Sequence, residues 1–216
     1  MTATFTVTPR IGTTVSATAL QLCDDAVLTG VAAAHLQCPD ADGELVELAE
    51  CRFDGVSLAR SVLPKITVTD AELGTCDLAV LRVEDSSWTR VRFTDCRLTG
   101  VQFAGATCQL VEHVRCLATD ALWRFATLRK VRFTECTLTG ADFTGSRFEQ
   151  VEFIDCDLSG VDFSQVRVSG TRFSNCTFDG TRGLDSLRGA EIGFTSDLDA
   201  LGLVGPMAAA LGIRVS

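Results

Sequence analysis

Cysteine is the residue type in this chain with the most chemical potential. The 216 residues include ten cysteines but only two histidines, His35 and His113. Thiolates can bind metals, form disulfides or attack electrophiles. A structural metal site, however, usually has ligands two to four residues apart. Six of the cysteines instead recur every 20 residues, at Cys76, Cys96, Cys116, Cys136, Cys156 and Cys176.

This spacing favours a structural interpretation of the cysteines as small buried hydrophobic residues. Side chains that point inward in parallel from successive layers also have poor geometry for a disulfide. The sequence shows no glycine-rich phosphate loop, no nucleophile close to a histidine and no pair of carboxylates placed for catalysis. We therefore predict no catalytic residue, no metal and no cofactor. A redox- or metal-responsive module is the weakest of three hypotheses.

A period of five residues runs from Ala26 to Phe178 and must position these side chains. We name the first residue of each block the small site and the third the large site. Every small site is Ala, Val, Leu, Ile, Cys, Ser or Thr, and every large site except Gly43 and His113 is apolar. Sites one and three share a face of an extended segment. Glycine recurs at the fifth site, where a positive φ costs it little, so the pattern predicts short extended pieces joined by tight turns.

Four blocks make one coil, because side-chain types repeat every 20 residues. Besides the cysteines, large-site phenylalanines recur at intervals of 20 or 40, in one series at Phe93, Phe133, Phe153 and Phe173 and in another at Phe103, Phe143 and Phe163. Stacked coils place like residues on like, as parallel β-ladders along a solenoid do. The sequence therefore predicts a four-sided rod that rises about 4.8 Å per coil.

The blocks Ala141-Asp142-Phe143-Thr144-Gly145 and Cys156-Asp157-Leu158-Ser159-Gly160 carry a family resemblance. The chain resembles the pentapeptide-repeat family over roughly residues 26–180. The resemblance implies an all-β fold, a right-handed quadrilateral β-helix, here with a short C-terminal helical cap. Many second sites carry arginine where the family prefers Asp or Asn, and we expect second-site side chains to face solvent.

The breaks in the pattern suggest the organisation of the chain. We expect an N-terminal cap or first strand at 1–25, the β-helix at 26–182, and a C-terminal cap and dimerisation segment at 183–216. Pro39 and Gly43 predict a turn or small loop at 36–45. The undersized or polar large sites Cys108, His113 and Ala118 predict a coil that packs irregularly.

His113 lies in the Phe93/Phe133 column of large sites. We interpret it as a buried neutral imidazole with a backbone hydrogen-bond partner. A pH switch or a ligand role is the alternative.

The C-terminal segment is similar to the closing segment of the gyrase-protecting branch of the family, which includes the Qnr proteins and MfpA. That similarity implies an end-to-end homodimer. The candidate interface residues are Leu198, Leu201, Leu203, Met207 and Leu211. The sequence shows neither a secretory signal nor an apolar stretch long enough to span a bilayer, so we expect a cytoplasmic protein without a membrane partner.

The net charge of −9 argues against direct binding to nucleic acid. Residues 76–80 and those at intervals of 20 define the Cys face, with a net charge of −3; residues 81–85 and their repeats define the acid face, with −5. The two faces are adjacent, and we name them together the acidic ridge. The candidate partner-binding residues on it are Asp77, Glu84, Asp85, Asp120, Asp142, Asp157 and Asp162.

The resemblance implies a function for such a ridge. Members of the gyrase-protecting branch imitate DNA, bind DNA gyrase or topoisomerase IV and protect the enzyme from poisons. The first hypothesis is therefore a DNA mimic that protects or modulates a type II topoisomerase, in antibiotic resistance or self-immunity. The alternative is a pentapeptide-repeat scaffold for a different protein partner.

Overall fold

Short extended segments and tight turns alternate along the chain, as the five-residue period requires. The computed structural model describes residue 5, residues 7–194 and residues 201–210. These residues form a parallel β-solenoid of about nine turns with very little helix. The predicted all-β solenoid is thereby confirmed.

Fourteen strands form one parallel sheet that wraps around the coils. Their bounds are β1 Val15–Ala17, β2 Val27–Thr29, β3 Val31–Ala34, β4 Glu47–Ala49, β5 Arg52–Asp54, β6 Thr67–Gly74, β7 Ser87–Thr94, β8 Thr107–Val114, β9 Thr127–Thr134, β10 Arg147–Glu149, β11 Glu152–Ile154, β12 Arg167–Ser169, β13 Arg172–Ser174 and β14 Glu191–Gly193. A 3₁₀-helix spans Leu184–Leu187 and the helix α1 spans Val204–Ala210.

Two of the four sides are strands, and the other two are turns. Strands β6 to β9 each run along two sides and pair residue i with residue i+20, as in Val91 with Val111. We name these sides the strand faces. The Cys face and the acid face pair only through isolated bridges, such as Asp142 with Asp162. The acidic ridge is thus built on turns, and the strands lie behind it.

The fifth site of each block closes the turn in the left-handed region. Non-glycine residues there have φ near 55°, for example 58° at Val80 and 56° at Asp85. A Cβ makes this conformation unfavourable, most of all for a β-branched residue. The recurrent glycine at this site in the sequence is therefore explained by φ, and the other side chains are tolerated at a cost.

Columns of stacked rings fill the interior. Phe103, Trp123, Phe143 and Phe163 stack with centroids 5.6, 4.9 and 5.6 Å apart. A second column contains Phe133, Phe153 and Phe173, with centroid spacings of 5.0 and 4.9 Å. Rings of neighbouring columns meet edge to face, a favourable geometry for aromatic pairs. The side-chain repeat in the sequence thus becomes a repeat of packing.

The coil that contains Cys108, His113 and Ala118 keeps its backbone register, so the predicted irregularity is confined to the side chains. Cys108 pairs with Trp88 on one side and Leu128 on the other, each offset by 20. The small thiol adjoins the large indole of the previous coil. Side-chain volume is redistributed between neighbouring coils, and the backbone path does not change.

Residues 36–45 remain in the coil and contain the predicted turn, at Pro39 and Asp40, without the alternative small loop. Gln37 pairs with Ser57, and Asp42 with Val62, both at the normal offset. A Cβ on Gly43 would lie 2.7 Å from the Leu22 carbonyl oxygen. Glycine occupies this large site because the backbone of the preceding turn fills the space, and not because the chain leaves the rod.

The N-terminal segment has two parts in the structure. Strand β1 pairs with β3 and begins the first coil. Before it, residues 7–12 run along the outside of the rod at the corner between the two strand faces, with Phe5 beyond them. We name residues 7–12 together with Phe5 the strap. Its contacts progress from Glu50 at Gly12 to Arg132 at Phe5.

The C-terminal part packs on the last coil. Leu184 and Leu187 of the 3₁₀-helix are buried, as is Ala208 of α1, and the two helices are in contact. Strand β14 pairs with β13 and extends the ladder by one layer. Among the described residues, no helix is long and apolar enough to cross a membrane.

Candidate protein-interaction surface

The second-site aspartates of the acidic ridge close its turns. Asp142 Oδ1 accepts the Thr144 amide at 2.8 Å, and Asp157 and Asp162 accept the amides two residues ahead at 3.0 and 2.9 Å. Asp77 does the same with Ala79 at 3.1 Å. These are Asx turns, which explain why Asp or Asn is preferred at this site. The carboxylates are held in fixed positions: Asp142 and Asp162 lie one coil apart on the acid face, and Asp77 and Asp157 four coils apart on the Cys face.

The carboxylates of Asp142, Asp157 and Asp162 are ionised at neutral pH, because the pKa of each is lowered. Burial acts to raise the pKa of Asp142, but hydrogen bonds from Thr144 and the Arg124 guanidinium outweigh it, so the pKa lies below the usual value. The pKa of Asp162 is lowered in the same way, against burial, by Ser164 and Arg182. The ridge therefore presents fixed negative charge whose positions are determined by the turns.

The expectation that second-site side chains face solvent is wrong at four positions, Ser57, Glu112, Arg132 and Asp142. Asp142 retains only 9 % of its exposure and Arg132 only 8 %. Asp142 is covered because it folds back onto its own turn and pairs with Arg124 at 2.6 Å. Arg132 lies under the strap. Part of the charge counted from sequence is therefore structural.

The other predicted ridge acids differ in their pairing. Glu84 pairs with Arg82 at 3.0 Å, and Asp77 with Arg97 at 3.4 Å. Asp85 and Asp120 are exposed fifth-site residues with φ near 55°. Neither takes part in an ion pair with any other described residue. These two acids carry the most available negative charge among the seven predicted residues.

Apolar side chains interrupt the ridge, and sequence reasoning missed them. Phe125 is 68 % exposed, while Val80 and Leu117 are nearly half exposed. The Phe125 ring lies over Gly145, where a Cβ would lie 2.7 Å from the ring. Phe125 also has φ of 58°. An aromatic residue at a fifth site was the available signal, because that site otherwise favours Gly or a polar residue.

The predicted dimer-interface residues differ in their exposure in the structure. Leu201 is 63 % exposed and Met207 is 41 % exposed, next to the exposed Val204. Leu203, in contrast, packs against the core of the rod and is partly buried, which argues against an interface role for it. Leu198 and Leu211 lie outside the described residues.

The six-cysteine ladder is buried, as predicted. All six are free thiols, and the Cys96 thiol lies 3.2 Å from the Leu73 carbonyl oxygen. Contact with the Cys116 and Cys76 thiols, together with burial, raises the pKa of Cys96. The ladder is therefore a packing feature of the interior and does not contribute to the surface.

His113 is buried, as predicted, which lowers its pKa; the Arg132 backbone acts to raise that pKa but lies outside normal hydrogen-bond geometry. Its ring stacks between Phe93 and Phe133, with centroids 4.8 and 4.6 Å away. Neither ring nitrogen has a hydrogen-bond partner among the described residues. Burial lowers the pKa of His113 to about 4, so the imidazole is neutral at neutral pH.

Comparison with known proteins supports the repeat. Residues 86–153 match the model of the pentapeptide repeat region, and residues 156–182 match that of pentapeptide repeats. No curated protein matches the sequence.

Two solved structures are similar to this chain at low sequence identity. A trypsin-treated variant of QnrB1, a plasmid-mediated fluoroquinolone resistance protein, is 19 % identical, with 90 % of this chain and 99 % of that chain covered and a TM-score of 0.50. HetL, a pentapeptide repeat protein involved in heterocyst differentiation regulation from the cyanobacterium Nostoc sp., is 16 % identical over 79 % of this chain and 89 % of that chain, with a TM-score of 0.45.

The five-residue blocks, the stacked columns, the turns closed by second-site aspartates and the two matching repeat regions agree with one another. Residues 86–153 and 156–182 of this chain are therefore pentapeptide-repeat regions.

Proposed function

We propose that this protein binds DNA gyrase or topoisomerase IV through the acidic ridge, imitates DNA there and modulates inhibition of the enzyme by its poisons. The observation that carries the proposal is the fixed, ionised row of second-site aspartates on two adjacent faces. In this proposal the protein is not an enzyme and acts as a homodimer.

The charge on the ridge is sufficient for partial mimicry. Its two faces hold thirteen acids and five bases, a net charge of −8. Eight coils at about 4.8 Å each span roughly 40 Å, or about one net charge per 5 Å. Duplex DNA carries one charge per about 1.7 Å. The ridge has about a third of that density, so electrostatic attraction needs a further source of affinity.

The exposed Phe125 provides such a source. Aromatic residues are enriched among the few side chains that dominate binding energy at protein interfaces. Phe125 directly follows Arg124, which pairs with Asp142. Asp120, five residues before Phe125, lies against Gly140 of the next coil. In the proposed complex the acids orient the partner, and the Phe125 ring buries apolar surface.

The structural likeness to QnrB1 concerns the fold, and the ridge is what supports the function. QnrB1 is described as a fluoroquinolone resistance protein, which suggests the class of target. The second candidate, a scaffold for another protein, uses the same ridge with a different partner. An assay on the topoisomerase distinguishes the two candidates.

Gyrase supercoiling with and without a fluoroquinolone tests the proposal. We expect the wild-type protein to change either supercoiling or its inhibition by the drug. The triple variant Asp142→Asn, Asp157→Asn and Asp162→Asn keeps an oxygen to accept each turn hydrogen bond but loses three charges. It should act at least tenfold more weakly, because charge attraction is lost.

The matched control removes three charges away from the ridge. Glu47→Gln, Glu135→Gln and Asp155→Asn alter exposed acids on the strand faces. This control should act like the wild type. If the wild-type protein has no effect on gyrase or topoisomerase IV and does not bind either at low salt, the topoisomerase proposal is wrong and the scaffold remains.

A further inference from the structure

Buried charges mark a second surface, at the corner opposite the acidic ridge. Among the described residues, the charged side chains that are buried are Asp70, Glu112, Arg132 and Asp142. Asp142 is covered by its own turn. The other three lie along the corner between the two strand faces. The strap contacts Asp70 and Arg132 directly. Glu112 lies between Arg92 and Arg132. Charged residues on the outside of a solenoid are expected to be exposed, so their burial is due to these contacts.

The corner residues bind the backbone of the strap. The Arg10 amide donates to Asp70 Oδ1 at 2.9 Å, and the Gly12 amide donates to Glu50 Oε2 at 3.1 Å. In the opposite sense, the Arg92 guanidinium donates to the Val7 carbonyl oxygen. Backbone donors and acceptors are common to all peptides, so these three contacts would fit an extended segment of any sequence.

Alternate side chains of the strap face the rod. Val7 retains 1 % of its exposure and Pro9 is also buried, while Thr8 and Arg10 are exposed. The Phe5 ring lies 4.5 Å from the Arg132 guanidinium carbon, a cation–π contact. Successive side chains of an extended chain point to opposite sides. The corner therefore accepts a segment with apolar residues at every second position.

The corner is held in shape by its own ion pairs. Arg92 bonds Glu112 at 2.9 Å, and Arg132 bonds Glu152 at 2.6 Å. Arg90 and Asp70 form a two-pronged pair at 2.6 Å. All of these pairs join adjacent coils and none includes the strap. The groove therefore does not need the strap for its geometry, and a preformed site binds without an ordering cost.

We propose that this corner is a binding groove for an extended segment of a partner protein, apolar at alternate positions, and that the strap occupies the groove until it is displaced. We name the corner residues Glu50, Asp70, Arg92, Glu112 and Arg132 the strap groove. Because it lies opposite the acidic ridge, the strap groove can be tested independently of the topoisomerase proposal.

The tether makes the strap a strong competitor. Only residues 13 and 14 separate it from β1. A short tether gives an effective concentration on the order of millimolar. A segment from another protein therefore binds the intact chain much more weakly than a chain whose strap has been released. This difference is measurable.

The test uses a fluorescent synthetic peptide of residues 2–12 and three full-length proteins. Val7→Asp places a carboxylate at a buried apolar strap position and should release the strap, because burying that charge is costly. Thr8→Asp adds the same charge at the neighbouring exposed position. We expect the peptide to bind Val7→Asp at least tenfold more tightly than wild type or Thr8→Asp, as measured by fluorescence polarisation.

The rate of trypsin cleavage after Arg10 is a second measure of strap release, because an extended segment held on the rod is protected from the protease. Cleavage should be at least tenfold faster in Val7→Asp than in Thr8→Asp. A cooperative thermal melt confirms that each variant is folded, and Pro9→Asp replaces Val7→Asp if it is not. The proposal is wrong if the peptide does not bind the released protein, or if it binds all three proteins equally.

Discussion

At the residue scale, His113 carries the clearest energetic cost. A buried polar group without a hydrogen-bond partner costs about 1–3 kcal/mol. Other coils place phenylalanine in the same column, at Phe93, Phe133 and Phe153. The cost is therefore specific to this coil and can be removed by substitution.

The pH dependence of stability follows from the lowered pKa of His113. The folded protein holds this pKa at about 4, below the ordinary value of 6.5. The unfolded chain therefore takes up a proton first as the pH falls. The part of the free energy of unfolding that depends on an uncharged His113 is fully present above pH 6.5. It decreases as the pH falls below 6.5 and is lost by about pH 4, a change of roughly 3 kcal/mol.

We expect His113→Phe to increase the free energy of unfolding by about 1 kcal/mol at pH 7 and to remove most of the loss between pH 6.5 and 4. Urea unfolding across this range measures both effects. His113→Leu is a second apolar variant, in case the phenylalanine ring is too large for the site. His35→Asn, which replaces the exposed histidine, is the control. An unchanged acid dependence in both His113 variants would show that other groups cause it.

The left-handed fifth site gives a prediction in one column of residues. Val80 and Gly100 are neighbours there, with φ of 58° and 65°. Val80→Gly should stabilise the protein by about 1 kcal/mol, because a β-branched residue is strained in this region. Gly100→Val should destabilise it by a similar amount. Chemical unfolding of both variants measures the pair, and equal effects of the same sign would contradict the argument.

At the element scale, ion pairs between adjacent coils differ in their surroundings. Glu112 pairs with Arg92 at 2.9 Å and with Arg132 at 3.4 Å, and both arginines contact the strap. Asp40 pairs with Arg60 at 2.6 Å in an exposed position. Removing one partner of a buried pair leaves a charge without compensation, whereas water replaces the partner of an exposed charge.

We therefore expect Glu112→Ala to destabilise the protein by about 3 kcal/mol, and Asp40→Ala to have a far smaller effect. Thermal or urea unfolding of the two variants makes the comparison. A loss of stability that is equal for both would mean that the strap does not exclude water from Glu112.

The elements also show what sequence can predict. The coil, its faces and its buried columns follow from residue types alone, because every coil repeats the same local rule. Asp142 looked like surface charge because its hydrogen bond to the Thr144 amide is a local turn that composition does not reveal. The strap was not predicted, because Val7 contacts Arg92, 85 residues away, and the five-residue repeat does not indicate that contact.

At the scale of the whole molecule, the exposed apolar residues of the C-terminal part suggest how two rods meet. Leu201, Val204 and Met207 are all at least 41 % exposed. A patch of exposed apolar residues at the end of a solenoid is a site for association. In a homodimer these residues would cover one another.

Leu201→Asp should therefore convert a dimer to a monomer of 23.1 kDa, because an unpaired carboxylate is costly to bury. Light scattering measures the mass. Val27→Asp, which alters an equally exposed apolar residue near the other end of the rod, should leave the dimer intact. A Leu201→Asp protein with the mass of the wild-type dimer would exclude this interface.

The acidic ridge and the strap groove occupy opposite corners of one rod. The ridge carries fixed charge on turns, and the groove carries paired charge on strands. Under the two proposals, each corner of the rod binds a different protein segment.

Competition with DNA for gyrase tests the central claim most directly. Gyrase is first loaded with a fluorescent DNA duplex at about 50 mM salt, where charge attraction is strong, and the protein is then titrated in. We predict that the wild type displaces the duplex and that Asp142→Asn, Asp157→Asn, Asp162→Asn requires at least tenfold more protein. No displacement, or equal displacement by the ridge variant and the off-ridge control, would contradict DNA mimicry by the ridge.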